Sequence, residues 1–294
     1  MASRETPEGW GDSAFNRVWV FRLVEAACRL ASRPFAYTVS DGILDWYVGR
    51  SPGALAVVRE NLRGAFPDLP REAVESLALS TFRNYGRGVV DYVRGSLDPP
   101  VVTAAPGAAE RLASVAGGKI LVTAHMGNWE VGGAFIGREI GRHWIVGFPE
   151  RDPALDDYRR RRREASGHVS LNAGQGLGTL FSLRKALEAG DSLIVLADRA
   201  VGKDAVSVTF RGRRTPFLKS PALLAQLTGR PLLPVAVVAE GVGRYSALVG
   251  TPIGPGAGLA PGDLMQGAAD FFGGVLERYP DQWYNFFGFW QEAS

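Results

Sequence analysis

Short apolar runs rich in β-branched residues alternate along this chain with longer stretches whose apolar residues recur at helical spacing. Residues 120–124, 144–148, 192–197, 234–238 and 245–249 have strand character, and 206–210 alternates like a half-exposed strand. Between them, helical spacing predicts helices over 54–62, 71–93, 179–189 and 262–279, a short one over 110–113, and others starting at Asp152-Pro153 and Ser220-Pro221. Val74, Leu77, Leu79, Phe82 and Tyr85 are the expected core of the 71–93 helix. Residues 99–109 read as a linker. Strands alternating with helices in this way predict an α/β fold, a mixed but mainly parallel central sheet flanked by helices.

The amino end is different in kind. Residues 1–12 are polar. Over 15–30, Phe15, Val18, Trp19, Leu23, Ala26, Ala27 and Leu30 recur at helical spacing, while Arg22, Glu25 and Arg29 share another face. Such a helix lies either in a lipid interface or against the core. The chain therefore divides into residues 1–34, a tail with an amphipathic membrane-associating helix, and residues 35–294, one further domain. No internal repeat is visible.

The run 120–124 leads into His125-Met126-Gly127-Asn128-Trp129-Glu130. Gly127 allows a sharp turn and Asn128 is a good N-cap, so a helix starts at Trp129. Glu130 then falls in its first turn, where the helix dipole favours negative charge. Strand, turn and helix thus bring an imidazole and a carboxylate to the carboxyl edge of a sheet, where ligands bind in open α/β folds. Of the three histidines only His125 has Glu five positions on; His143 is followed there by Phe148 and His168 by Ala173. An imidazole can take a proton from an alcohol, and the carboxylate can orient it or contact the substrate. A purely structural pair is the competing reading.

Other patterns narrow the chemistry. Gly49-Arg50-Ser51-Pro52-Gly53 has the spacing of a nucleophile elbow, but the residue after the serine is proline and has no N–H for an oxyanion hole. It reads as a turn before a helix. Five consecutive arginines, Arg159 to Arg163, go round a helix and cannot all face one ligand, although Arg159 and Arg163 are one turn apart and could share a phosphate. Gly174-Gln175-Gly176-Leu177-Gly178 does not follow a clear strand, so it reads as a flexible loop and not a dinucleotide site. Arg211, Arg213, Arg214 and Lys219 read as a basic loop, either solvated or touching phosphate. The aromatic stretch 283–290 reads as a core lid, with an acyl-channel wall or membrane belt as alternatives.

Taken in order, these blocks resemble the glycerolipid and lysophospholipid acyltransferase superfamily, in the branch of the bacterial lipid A late acyltransferases and the phosphatidylinositol mannoside acyltransferase. Ala124 to Glu130 is similar to its His-x4-Asp/Glu box. Arg59-Glu60-Asn61-Leu62 with Phe66-Pro67, the segment Glu150 to Arg163 with Gly167, Asp198-Arg199, Phe210-Arg211-Gly212, Pro221 to Ala225 and Thr228 to Pro231 follow the family's other segments in sequence. The resemblance spans about residues 50–290. It implies transfer of a fatty acyl group from acyl-CoA or acyl-carrier protein to a hydroxyl, or an amine, of a lipid or glycolipid. His125 would be the base, with Glu130 orienting it or placing the acceptor. Asn128, Arg163, Asp198 and Arg199 would bind substrate, and Gly127 and Asn128 would supply oxyanion donors. The resemblance marks Arg163 as the substrate-facing arginine. No cofactor or metal is expected, nor an acyl-enzyme. A thioester or ester hydrolase using the same histidine, and a non-catalytic lipid carrier, are the alternatives.

Composition sets bounds on this. The net charge is +3 and the pI about 9.1, a mild excess suited to anionic membrane surfaces or phosphorylated substrates rather than to nucleic acid. Cys28 is the only cysteine, so no internal disulfide or cysteine metal cluster can form. Neither a secretory signal nor eighteen uncharged apolar residues in a row is found. The expected location is the cytoplasmic face of the membrane, held peripherally.

Overall fold

The computed structural model describes residues 17–148, 150, 152–172, 177–200, 202–256 and 258–290. Its centre is a seven-stranded sheet in the order β1 (Val101–Ala104), β9 (Arg244–Val249), β8 (Leu232–Gly241), β2 (Ile120–Thr123), β5 (Ser192–Leu196), β3 (His143–Gly147), β4 (His168–Asn172). The five strands from β8 to β4 run parallel, and only the β8–β9 junction is antiparallel. The expected mixed, mainly parallel sheet is therefore present.

Strand β2 sits in the middle because all four of its side chains can be buried. Successive side chains of a strand point to opposite faces. Ile120 and Val122 pack into a core with α9 (Ser220–Thr228) and α10 (Pro261–Arg278), while Leu121 packs into another with α5 (Ala108–Ala113) and α6 (Trp129–Ile140). The third layer comprises α2 (Arg33–Arg50), α3 (Pro52–Ala65) and α4 (Arg71–Arg94). They close on the C-terminal aromatics through Leu44, Leu62, Phe82, Tyr284 and Phe286. The 283–290 stretch is thus core on its inner side, with Trp283, Tyr284, Phe286 and Phe289 buried.

Asn61 ties these layers together. Its carboxamide donates to the carbonyls of Asn285 (2.7 Å) and Phe287 (2.8 Å) and accepts from Phe289 N (3.0 Å). A 3-10 turn at Pro280–Gln282 leads into this segment.

Several elements differ from the sequence reading. The 99–109 stretch contains β1, an edge strand too short to show a period. The basic residues after 210 form a hairpin of β6 (Val206–Phe210) with β7 (Arg213–Phe217), turned by Arg211 and Gly212, both at positive φ. Arg211 donates to Ala65 O, Arg213 lies over the Trp290 ring and Arg214 donates to Ser207. The two further helices of the parallel unit are α7 (Pro153–Ala165) and α8 (Leu177–Glu188). The glycine-rich stretch lies mostly outside the described residues.

The amino-terminal helix α1 (Val18–Leu30) packs through Phe21, Val24 and Cys28 against α4 and α7. Most of its sequence-predicted apolar stripe faces the other way: Trp19, Leu23, Ala26, Ala27 and Leu30 are exposed, Leu30 at 93%, whereas Val18 packs inward and Phe15 lies outside the described residues. Helix α2 continues this surface with Phe35, Val39, Ile43 and Trp46, all exposed and spaced by four, four and three. Among the described residues no helix is long and apolar enough to cross a membrane.

Candidate active site

The end of β2 is built as its sequence dictates. Gly127 has φ 58°, and a Cβ there would lie 2.0 Å from Val237 O, so only glycine fits the turn. The turn is held on both sides: Gly127 N donates to Gln282 O (2.8 Å), Asn128 N to Val237 O (2.7 Å) and Tyr284 N to His125 O (2.7 Å). Asn128 then caps α6, its Oδ1 accepting from Val131 N at 3.2 Å.

His125 and Asp198 meet across this edge. Strands β2 and β5 pair Thr123 with Leu196, so both residues stand two positions past the last pair. His125 Nδ1 lies 2.7 Å from Asp198 Oδ1, and His125 N donates to Asp198 Oδ2 at 3.0 Å. Asn285 Nδ2 also donates to Oδ2, at 3.3 Å. Asp198 is buried. Burial alone would raise its pKa, but the His125 charge and these hydrogen bonds hold its carboxyl below the usual range. The carboxylate therefore fixes Nδ1 as the donor and turns Nε2 outward, and Nε2 has no protein partner among the described residues. The Trp129 ring lies edge-on to the imidazole at 5.4 Å.

Glu130 is elsewhere. It forms a two-pronged pair with Arg163, with Nε to Oε2 at 3.1 Å and Nη2 to Oε1 at 2.5 Å. Burial opposes its charge, but Arg163 holds its pKa down, and the Arg163 pKa is raised in return. The structure gives no contact between Glu130 and the imidazole; the carboxylate that touches His125 is Asp198. Glu130 lies in the first turn of α6, and its carboxylate is taken up by Arg163 of α7.

The remaining sequence-named residues divide. Arg159 pairs with Glu150, so Arg159 and Arg163 each face a carboxylate and not a shared opening. Arg199 is exposed, its guanidinium 4.4 Å over the Phe287 ring. Asn128 is buried, with Nδ2 donating to Gly88 O (3.0 Å) and Tyr245 Oη (3.2 Å). With both backbone N–H groups of Gly127 and Asn128 also bonded, the oxyanion donors named from sequence are occupied by the fold. Ser51 stands just ahead of α3, where its hydroxyl makes no capping bond, and Cys28 is buried in α1; neither contacts the box. Asn285 escaped the sequence reading, since nothing local marks one asparagine in an aromatic stretch as a partner of Asp198. Among the described residues no three His, Cys, Asp or Glu side chains converge as a metal site.

A carboxylate-held histidine thus stands at the carboxyl edge of a parallel sheet, where open α/β folds bind their ligands. The chain belongs to the bacterial lipid A biosynthesis acyltransferase family, whose profile matches residues 14–292. It is similar to the phosphatidylinositol mannoside acyltransferase of Mycolicibacterium smegmatis, 30% identical over 173 residues, which are 57% of this chain and 55% of that one. The protein of the same description from Mycobacterium tuberculosis H37Rv is 28% identical over 171 residues, 57% of this chain and 52% of that one. The match thus spans about half the length of these curated relatives. The crystal structure of the 1-acyl-sn-glycerophosphate acyltransferase PlsC from Thermotoga maritima aligns over 86% of this chain and 100% of that one, with TM-score 0.40 and 15% identity.

Proposed function

We propose that this protein transfers a fatty acyl group from a thioester, acyl-CoA or acyl-carrier protein, to a hydroxyl of a lipid or glycolipid acceptor. The observation that carries the reading is the His125–Asp198 contact, which engages Nδ1 and leaves Nε2 without a protein partner among the described residues. His125 Nε2 takes the acceptor's proton as its oxygen attacks the thioester carbon. The tetrahedral intermediate then collapses: the C–S bond breaks, and the imidazolium returns the proton to the departing sulfur. Asp198 orients the ring and stabilises the imidazolium. The positive end of α6 opens on the same edge and favours the oxygen that becomes negative. Arg199, the exposed cation after β5, is the group we assign to anionic parts of a substrate. Direct attack needs no acyl-enzyme, and neither Cys28 nor Ser51 is placed to form one.

We assign the exposed aromatic stripe of α1 and α2 to a membrane surface. Its apolar side chains are flanked by Arg22, Arg29 and Arg50, with Arg50 5.0 Å over the Trp46 ring, the mixture that suits an anionic lipid interface. A peripheral position on the cytoplasmic face, where thioester donors are found, fits this surface.

The test is mass spectrometry of lipids from cells carrying wild-type or His125→Ala protein, together with a purified assay offering palmitoyl-CoA and a phosphatidylinositol mannoside, the substrate class in the relatives' names. The reading expects one acyl group gained on a defined lipid with the wild type only. Thioester consumption that ignores the acceptor would make the protein a hydrolase instead.

A further inference from the structure

Beside the box lies a narrow chamber between α1, α4, α6 and the C-terminal segment. Phe21, Tyr85, Val89, Trp129 and Tyr284 give it aromatic and aliphatic walls. Trp129 is also the ring packed against His125, so the chamber is one side chain away from the base.

Tyr92 lines this chamber, and its hydroxyl is buried without a hydrogen-bond partner among the described residues. The charges that act on the phenol are Glu130, Arg159, Arg163 and Arg162. The first three are engaged with each other or with Glu150. Arg162 lies 4.9 Å over the ring and donates to the carbonyls of Tyr92 (2.7 Å) and Val93 (3.0 Å), which fixes where the ring points. A buried hydroxyl left without a partner destabilises the fold. Phenylalanine would fill the same volume without that cost. The rigid, unpartnered donor therefore fits a ligand and not the fold.

We propose that Tyr92 is a substrate-binding residue whose hydroxyl donates to a carbonyl or hydroxyl oxygen of a substrate that reaches into the chamber. The oxygen belongs either to the fatty acyl thioester or to the lipid acceptor. Burial first, then the Glu130 charge, pushes the phenol pKa up, so the group stays a donor at neutral pH. The proposal rests on the acyl-transfer reading for the identity of these two substrates.

The experiment compares wild type with Tyr92→Phe as full chains. Thermal unfolding should give an equal or higher Tm for the variant, because a group unsatisfied in the free protein has gone. The KM for one substrate should rise about two- to tenfold, the usual range for one neutral hydrogen bond, with kcat changing less. A rise for palmitoyl-CoA assigns the oxygen to the donor, and a rise for the phosphatidylinositol mannoside assigns it to the acceptor. Binding is read separately in the His125→Ala background, with and without Tyr92→Phe, by isothermal titration calorimetry with each of the two probes. Ligand binding that weakens with Tyr92→Phe supports the proposal even where no transfer is detected, and absent transfer then counts against the acyl-transfer reading alone. Binding and both KM values left within twofold would overturn the proposal. A Tm lowered by several degrees would also overturn it, because the hydroxyl would then serve the fold. Failure of the His125→Ala protein to bind either probe would defeat the reading and the proposal together.

Discussion

His125 Nδ1 and Asp198 Oδ1 are 2.7 Å apart although 73 residues separate them in the chain. The register of β2 on β5 accounts for this. With Thr123 opposite Leu196, each strand needs two more residues to clear the sheet, and the chain supplies a histidine after one and an aspartate after the other. Replacing Asp198 by Asn keeps the shape but removes the charge that fixes the tautomer. We expect kcat to fall by about two to four orders of magnitude, comparable to His125→Ala. The double variant should be scarcely worse than either single one, since the two residues act as a unit. Steady-state kinetics of all three variants checks this.

Glu130 and Arg163 pair side by side, mostly shielded from water, at side-chain exposures of 12% and 20%. Removing one partner leaves a charge with no counterpart. Arg163→Met should destabilise the fold by roughly 2–4 kcal/mol, allowing for the exposure that remains. Glu130→Leu together with Arg163→Met should recover much of that loss. Urea unfolding of the two single variants and the double variant measures the coupling. An equal loss in the single and double variants would mean that the pair contributes nothing as a pair.

His143 Nε2 and His168 Nδ1 are hydrogen-bonded to each other on neighbouring strands, buried beneath α6. Burial, and then the neighbouring His143, push the His168 pKa down to about 4 from an ordinary 6.5. Between those values the unfolded chain binds a proton at this residue and the native protein does not. Stability should therefore rise with pH from about 4 to 6.5 and be lost as acid takes the protein down through that window. Asp198 and Glu130, whose pKa values are lowered from 3.8 and 4.5, start to lose their contributions at the acid foot of that window and go on losing them as pH falls through their folded values. His168→Gln should flatten the slope between pH 4 and 6.5, read as the urea midpoint against pH.

The outward stripe of α1 and α2 makes a surface prediction. Phe35→Glu with Trp46→Glu places two negative charges where the protein is exposed and apolar. Partition onto anionic vesicles in a sedimentation assay should fall by about tenfold or more. Unfolding free energy should change by only about 0.5 kcal/mol, since neither side chain supports the core. Undiminished partition would assign the stripe to something other than lipid.

The sequence made the sheet and its carboxyl edge readable, because 120–124 and 192–197 are dense apolar runs with one period and clear stops. It made the turn readable too, since Gly127 and Asn128 have few other uses in that order. Contacts that depend on register were hidden. Glu130 lies close to His125 along the chain, yet the carboxylate that reaches the ring comes from the next strand over. The α1 pattern was legible as amphipathic but not in its direction: the face with Trp19 and Leu23 looks outward, and the smaller set Phe21, Val24 and Cys28 holds the helix down. Five arginines in a row concealed five fates, set by which carboxylate or carbonyl each one meets.

Asn61 fastens residues 285–289, and that strap in turn supports the turn bearing His125 and the carboxylate behind it. A ribosome makes the histidine long before it makes the strap. The edge of the sheet is therefore completed last along the chain, by residues 282–285 set against the turn and against Asp198.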